Sequence, residues 1–319
     1  VLNIGLDLAF MRNRLTAAVD YYDRLTTGMN RPSEFSTFLS AAYSPAPRTN
    51  IGNLRNRGVE IDLAWKDRIG KLQYGVNLNG SFNTTNLEKW NQLLLRGNVF
   101  LQMPYQFVYA YQDNGIAQSW ADIHKNTPQG AAPGDLLMKD LNGDGRITAD
   151  DRRAYPTLQQ ERPTTTFAVN SYVAYKGFDF TIFLQGAAGR KDYWQTIYNN
   201  TNFPTARYAA SWEHWTNPWS WDNRDGLWPR LGGSGNNRNQ TTFWLDDMSY
   251  LRVKNLQLGY TVPAKVLSRL GVTNLRIVGS AENIGTLTAF RGLDPEKQGD
   301  DNNVYPINKS YSLAINLSF

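Results

Sequence analysis

Between Ile4 and Phe10 every second residue is apolar: Ile4, Leu6, Leu8 and Phe10 fall on one face, and Gly5, Asp7 and Ala9 on the other. Arg12-Asn13-Arg14 breaks the pattern. Leu15, Ala17, Val19 and Tyr21 then alternate with Thr16, Ala18, Asp20 and Tyr22. Period-two alternation predicts half-buried strands, and the short break predicts a hairpin. The arrangement recurs. Val59, Ile61, Leu63 and Trp65 lead through a turn at Asp67-Arg68-Ile69-Gly70 into Leu72, Tyr74, Val76 and Leu78. A third hairpin spans 164–185 and turns at Lys176-Gly177, with Phe178, Phe180, Ile182 and Leu184 opposed to Asp179, Thr181 and Phe183. A fourth pairs 250–262 with 275–284. Its apolar phase slips between Val253 and Leu256, which predicts a β-bulge near Lys254-Asn255. The linker 263–274 has room for one helical turn. Tyr311, Leu313, Ile315, Leu317 and Phe319 make a last strand.

The connections sort by length. Short turns alternate with long polar segments at 27–54, 86–163, 188–245 and 286–308, the first of which carries Pro32, Pro45 and Pro47. A soluble sandwich has no reason to sort its loops in this way. An outer-membrane barrel does, because its turns face the periplasm and its loops face outward. The expected fold is therefore all-β: about nine strands of a transmembrane antiparallel β-barrel, with girdle aromatics such as Phe10, Tyr21, Trp65 and Tyr74. An odd, open set of strands would leave backbone groups unpaired in lipid, so further strands are expected outside this chain. Val1 already lies within a strand pattern and no initiating Met precedes it, which predicts a piece of a longer protein. Inward polar residues such as Asp7, Asp20, Glu60, Asp62 and Asn77 would line a wet lumen.

Composition agrees and narrows the field. The mean hydropathy is −0.50 and no apolar run is long enough for a membrane helix. The formal charge of +5 from 33 basic and 28 acidic residues is small, with no basic run, so nucleic acid is not an expected partner. Absence of cysteine excludes disulfides and Cys-ligated zinc.

Within the second long loop, Asp140-Leu-Asn-Gly-Asp-Gly-Arg-Ile-Thr-Ala-Asp-Asp151 places oxygen ligands at the spacing that wraps a hard cation. Asp140, Asn142 and Asp144 would bind through side chains, Arg146 through its carbonyl, Thr148 directly or through water, and Asp151 in place of the usual Glu. Ca²⁺ is the expected ion and Mg²⁺ the alternative. Such Asp-Asn-Gly runs also form ordinary solvated turns. The flanking pattern is strand and loop, so the cation would brace a loop. The third long loop is rich in tryptophan. Trp212, Trp215, Trp219, Trp221 and Trp228 would stack on a ligand, pack on one another, or dock a partner. Glu213 with Asp246 or Asp247 is a conceivable glycosidase pair, but nothing positions it, and no nucleophile or phosphate-loop motif appears. The chain does not read as an enzyme.

Several phrases together resemble the carboxy-terminal part of SusC-type (SusC/RagA-like) TonB-dependent transporters of Bacteroidetes outer membranes. They are Asn50-Ile-Gly-Asn-Leu-Arg-Asn-Arg-Gly-Val-Glu60, Lys139-Asp-Leu-Asn-Gly-Asp-Gly145, Tyr175-Lys-Gly-Phe-Asp-Phe180, Tyr250-Leu-Arg-Val-Lys-Asn-Leu-Gln-Leu-Gly-Tyr260 and Asn316-Leu-Ser-Phe319. The resemblance implies a barrel of about 22 strands around an amino-terminal plug, with this chain as its closing portion. It further implies a SusD-like lipoprotein lid, opening driven by the TonB complex, and uptake of oligosaccharides or peptides. It gives Phe319 an outer-membrane sorting role. A siderophore or vitamin receptor of the same architecture, and a secreted all-β carbohydrate-binding or hydrolytic module, are the alternatives.

Overall fold

The computed structural model describes residues 1–32, 48–90, 101, 107–159, 162–193, 215–233, 235–267, 271–297 and 306–319. The strands in chain order are β1 (Leu2–Phe10), β2 (Leu15–Pro32), β3 (Arg48–Ile69), β4 (Leu72–Trp90), β5 (Phe107–Tyr111), β6 (Asp113–Ile116), β7 (Leu136–Met138), β8 (Arg152–Gln159), β9 (Thr165–Tyr175), β10 (Phe178–Ala188), β11 (Lys191–Tyr193), β12 (Leu245–Asp247), β13 (Tyr250–Thr261), β14 (Asn274–Thr288) and β15 (Ser310–Ser318). Nine of them form one antiparallel sheet in the order β1-β2-β3-β4-β9-β10-β13-β14-β15. Each barrel strand thus pairs with its nearest barrel neighbours in sequence, the arrangement of an up-and-down wall. The sheet is not closed: β1 and β15 each carry one partner among the described residues.

Residues directly opposed across a ladder project to the same side, so the register sorts the two faces. Leu8 stands opposite Ala17, Ala17 opposite Leu63, Leu63 opposite Leu78, Leu78 opposite Val169 and Val169 opposite Leu184. Nearer the short turns, Phe178 faces Tyr260, Tyr260 faces Ile277 and Ile277 faces Ile315. This apolar face is exposed within the inner strands of the sheet, with Ile61 at 49% and Leu78 at 39%, as suits a surface solvated by lipid instead of a packed core. One residue along, the other face carries Asp7, Ala18, Asp62, Asn79, Ala168, Gln185, Arg252 and Thr286 in a single row. The predicted alternation is therefore real, and the period of two is what separates a lipid face from a wet one.

The turns follow local chemistry. Lys176 and Gly177 both have positive φ, 48° and 88°, which matches the right-handed twist of the flanking strands. The second hairpin corrects the expected turn. Asp67, Arg68 and Ile69 remain in β3, Ile69 pairs with Leu72, and Gly70-Lys71 alone makes the reversal. Gly70 supplies the positive φ of 59° that the tight connection requires. The bulge appears where the phase slip predicted it: Val253 and Asn255 pair with Leu184 and Phe183, leaving Lys254 as the extra residue. The linker after β13 contains the single helical turn Ala264–Leu267.

Two long loops are shorter than expected. β2 runs to Pro32 and β3 begins at Arg48, so part of 27–54 is ladder, and β4 extends to Trp90. Above the apolar band neither face meets lipid, so alternation fades while hydrogen bonding continues. The described part of 86–163 also contains regular elements. β5 pairs with β8, β6 pairs with β7, and a short helix, Trp120–Lys125, is capped by Ser119.

These loop elements share a small core on the mouth side of the sheet. Val108, Ala110, Leu136, Trp228, Trp244, Met248 and Phe290 are buried together, with Ile116, Tyr155, Phe243 and Leu245 packed against them. The core draws on three separate long loops.

Candidate functional site

Ion pairs fix the mouth assembly. Asp135, fully buried before β7, receives Nε and Nη2 of Arg230 at 2.8 and 3.1 Å, the amide of Ala132 at 2.9 Å and Nδ2 of Asn237 at 3.2 Å. Asn237 Oδ1 in turn accepts from the Leu136 amide at 2.7 Å. At the top of β13, buried Arg252 donates to Asp294 at 2.7 Å and approaches Glu296 at 2.9 Å, and Lys254 on the bulge meets Glu296 at 3.4 Å. The bulge therefore aims a second cation at the loop that follows β14. These residues carried no local signal in the sequence, because their partners lie 95 and 42 positions away.

The 140–151 loop runs between β7 and β8 and is closed largely by its own amides. Gly143 and Gly145 sit at φ 76° and 78°, in the region that favours glycine. Their N–H groups donate to the two oxygens of Asp140 at 2.7 and 2.9 Å, and Thr127 Oγ1 adds a contact at 3.2 Å. Asn142 Oδ1 accepts from the Asp144 amide at 3.0 Å, and Asp144 accepts from that of Arg146 at 2.8 Å. Asn142, Asp144 and Arg146 are exposed. Thr148 caps the turn Ala149–Asp151, and Asp151 answers by accepting from the Thr148 amide at 2.7 Å. Asp151 also accepts from Leu141 at 2.8 Å and has no exposed surface. Burial pushes its carboxyl up, but the amides of Thr148, Leu141 and Asn142 outweigh that effect and hold it below the usual carboxylate range. Among the described residues no group of three acidic or imidazole side chains converges as a metal cluster.

The tryptophans separate into two populations. Trp228 is 1% exposed, stacks on Trp244 at 6.0 Å and 9°, and is covered by the Arg291 guanidinium at 4.4 Å. Trp219 is buried and donates Nε1–H to Gln118 at 2.8 Å. Trp215 and Trp221 are each 57% exposed, and Arg224 lies over Trp221 at 5.1 Å. Trp212 and Glu213 lie outside the described residues. Asp246 is paired with Arg291 at 2.5 Å, and Asp247 accepts from the Ser249 amide at 2.8 Å, so both are engaged structurally. On the wet face Asn77 donates to both oxygens of Asp62 at 3.1 Å. Phe319 follows β15 and is exposed.

An open antiparallel wall with an apolar exterior, a polar interior, short turns at one end and folded loops at the other is a portion of a transmembrane β-barrel. Comparison with known proteins makes that class specific. No family model matches the chain. It is similar over its whole length to TonB-dependent receptor P3 of Formosa agariphila, at 28% identity and covering 34% of that protein. It is likewise similar over 99% of its length to TonB-dependent receptor SusC of Bacteroides thetaiotaomicron, at 25% identity and covering 31% of it. The chain thus spans about a third of the length of these curated relatives. The structure of the RagAB peptide transporter superposes on 99% of the chain with a TM-score of 0.78 at 22% identity, covering 34% of that chain, which shows a common fold. The SusC-type resemblance seen in the sequence phrases therefore holds along the full chain.

Proposed function

We propose that this chain is the carboxy-terminal wall of a TonB-dependent importer in the bacterial outer membrane, acting with a plug, further strands and a SusD-like lipoprotein lid. The carrying observation is the sorting of the nine-strand sheet into an apolar outer and a polar inner face beneath folded loops. Similarity to receptors named TonB-dependent over the full chain supports the energised mechanism. The cargo on this reading is an oligosaccharide or peptide that enters through the loop assembly. Exposed Trp215 and Trp221 are suited to contact ligand or lid, whereas Trp219 and Trp228 are suited to hold the loops. The 140–151 loop is a brace that takes Ca²⁺ through Asp140, Asn142, Asp144, the Arg146 carbonyl, Thr148 and Asp151, and Phe319 marks the strand read during membrane insertion. Fractionation tests the reading: the full-length protein should partition with outer membranes and require detergent for release. A freely soluble protein would overturn it.

A further inference from the structure

Toward the mouth on the wet face of β1–β4 lies a cleft of about 510 Å³, whose lining includes Tyr22, Arg24, Asn56, Glu60, Thr85 and Arg162. Arg24 comes from β2, where it opposes Asn56, and Arg162 comes from the segment that enters β9. Asn56 and Thr85 are already joined at 2.6 Å and form a fixed floor. Among the described residues neither Arg24 nor Arg162 makes an ion pair, and Glu60 is the cleft's sole carboxylate. The same strands treat their outward arginines differently: Arg55 and Arg57 are both drawn to Asp23, at 2.6 and 3.0 Å. Among the described residues the outward Arg55 and Arg57 are thus ion-paired, as are the inward Arg252 and Arg276, whereas Arg24 and Arg162 share their cleft with Glu60 without an ion pair.

A guanidinium offers a planar fork that matches the two oxygens of a carboxylate. Both arginines are exposed at the cleft, and two like charges that line one concavity raise the local positive potential felt by whatever enters. We propose that this cleft is a carboxylate subsite on the ligand's path, with Arg24 and Arg162 binding the oxyanion and Tyr22 and Thr85 presenting hydroxyls beside it. The proposal rests on the import reading and deepens it: the cargo carries negative charge, either as an acidic peptide side chain or as a uronate sugar. Glu60 sets the affinity by opposing the two cations.

Titration calorimetry on the full-length protein in detergent tests this with four probes: an Asp-containing tetrapeptide, its Asn counterpart, an oligogalacturonate, and a neutral oligosaccharide of equal length. The expected result is that one charged probe binds at least tenfold more tightly than its neutral partner, and the one that does so identifies the source of the carboxylate. The double variant Arg24→Gln/Arg162→Gln should erase that preference, and Glu60→Gln should strengthen it several-fold. Equal binding of charged and neutral probes, with binding itself intact, overturns the subsite and leaves the import reading standing. Loss of thermal stability in the double variant with an unchanged preference also overturns it, because the arginines then serve the wall alone. Failure of every probe to bind overturns the subsite, while the import reading stands or falls on fractionation.

Discussion

Asp135 and Arg230 are joined by a two-pronged ion pair although 95 residues separate them, and the carboxylate end of the pair has no exposed surface. The pair locks the loop after β6 to the tryptophan-rich loop. Arg230→Ala would leave a buried charge without its cation, held by neutral donors that include Ala132 and Asn237. The expected cost is about 2 kcal/mol, discounted because Arg230 itself is partly exposed. Hydrogen exchange should rise together in 130–138 and 228–238, and a rise in one segment alone would mean that the pair does not couple the loops.

Gly226 has no room for a side chain. A Cβ there would lie 2.5 Å from the carbonyl of Pro218 and from the amide of Trp219, which are backbone atoms with no rotamer to yield. Gly226→Ala should cost about 1–3 kcal/mol and loosen the ladder contact between Pro218 and Trp228. A red shift of tryptophan emission and weaker near-ultraviolet dichroism are the expected signs. Unchanged spectra would show that the loop re-routes without penalty.

The Asp151 carboxyl is held below its ordinary value, so it stays charged, and accepts from its amides, throughout the neutral range. Its stabilising contribution is present above the ordinary carboxylate pKa and is lost as pH falls through the lowered folded-state value. Protection of 140–151, corrected for intrinsic exchange, should therefore drop in acid. Asp151→Asn should lower protection at neutral pH and flatten the acid step, and a variant that kept the step would assign it elsewhere.

Calcium should add to protection in the same segment, and a chelator should remove what calcium added. Asp140→Asn weakens the acceptor that Gly143 and Gly145 share and takes away one cation ligand. It should abolish the calcium response. Identical exchange with calcium and with chelator would count against the brace.

The two faces of β15 should respond oppositely to charge. Leu313 lies on the apolar row and Ser312 on the wet one. Leu313→Arg near mid-strand should cost about 2–4 kcal/mol in a folding titration into lipid vesicles, whereas Ser312→Arg should cost little. Equal costs would mean that the apolar face does not meet lipid.

What the sequence disclosed and what it hid divide along physical lines. Strand phase, the Lys176-Gly177 turn and the Lys254 bulge were legible because each leaves a mark within a few residues. The continuation of β2 to Pro32 was hidden, since a ladder outside the apolar band needs no alternation. The mouth core was hidden for a different reason: Val108, Trp228 and Phe290 come from separate loops, and none carries periodicity. In the site, the spacing of Asp140, Asn142 and Asp144 stood out, while the division of Trp219 and Trp228 from Trp215 and Trp221 depends on who packs against whom. Arg24 and Arg162 were overlooked because an isolated arginine signals nothing until a second one shares its cleft.

The strictly sequential strand order has a consequence in time. Each hairpin of the wall can complete its ladder as soon as the preceding strand is laid down, so the sheet can grow outward from either margin with little entropic penalty per step. The mouth core is different, because Val108, Trp228 and Phe290 meet only after the intervening wall has brought their loops to one rim. The mouth core thus depends on contacts between distant loops, and a register error in an intervening hairpin is expected to disturb its packing.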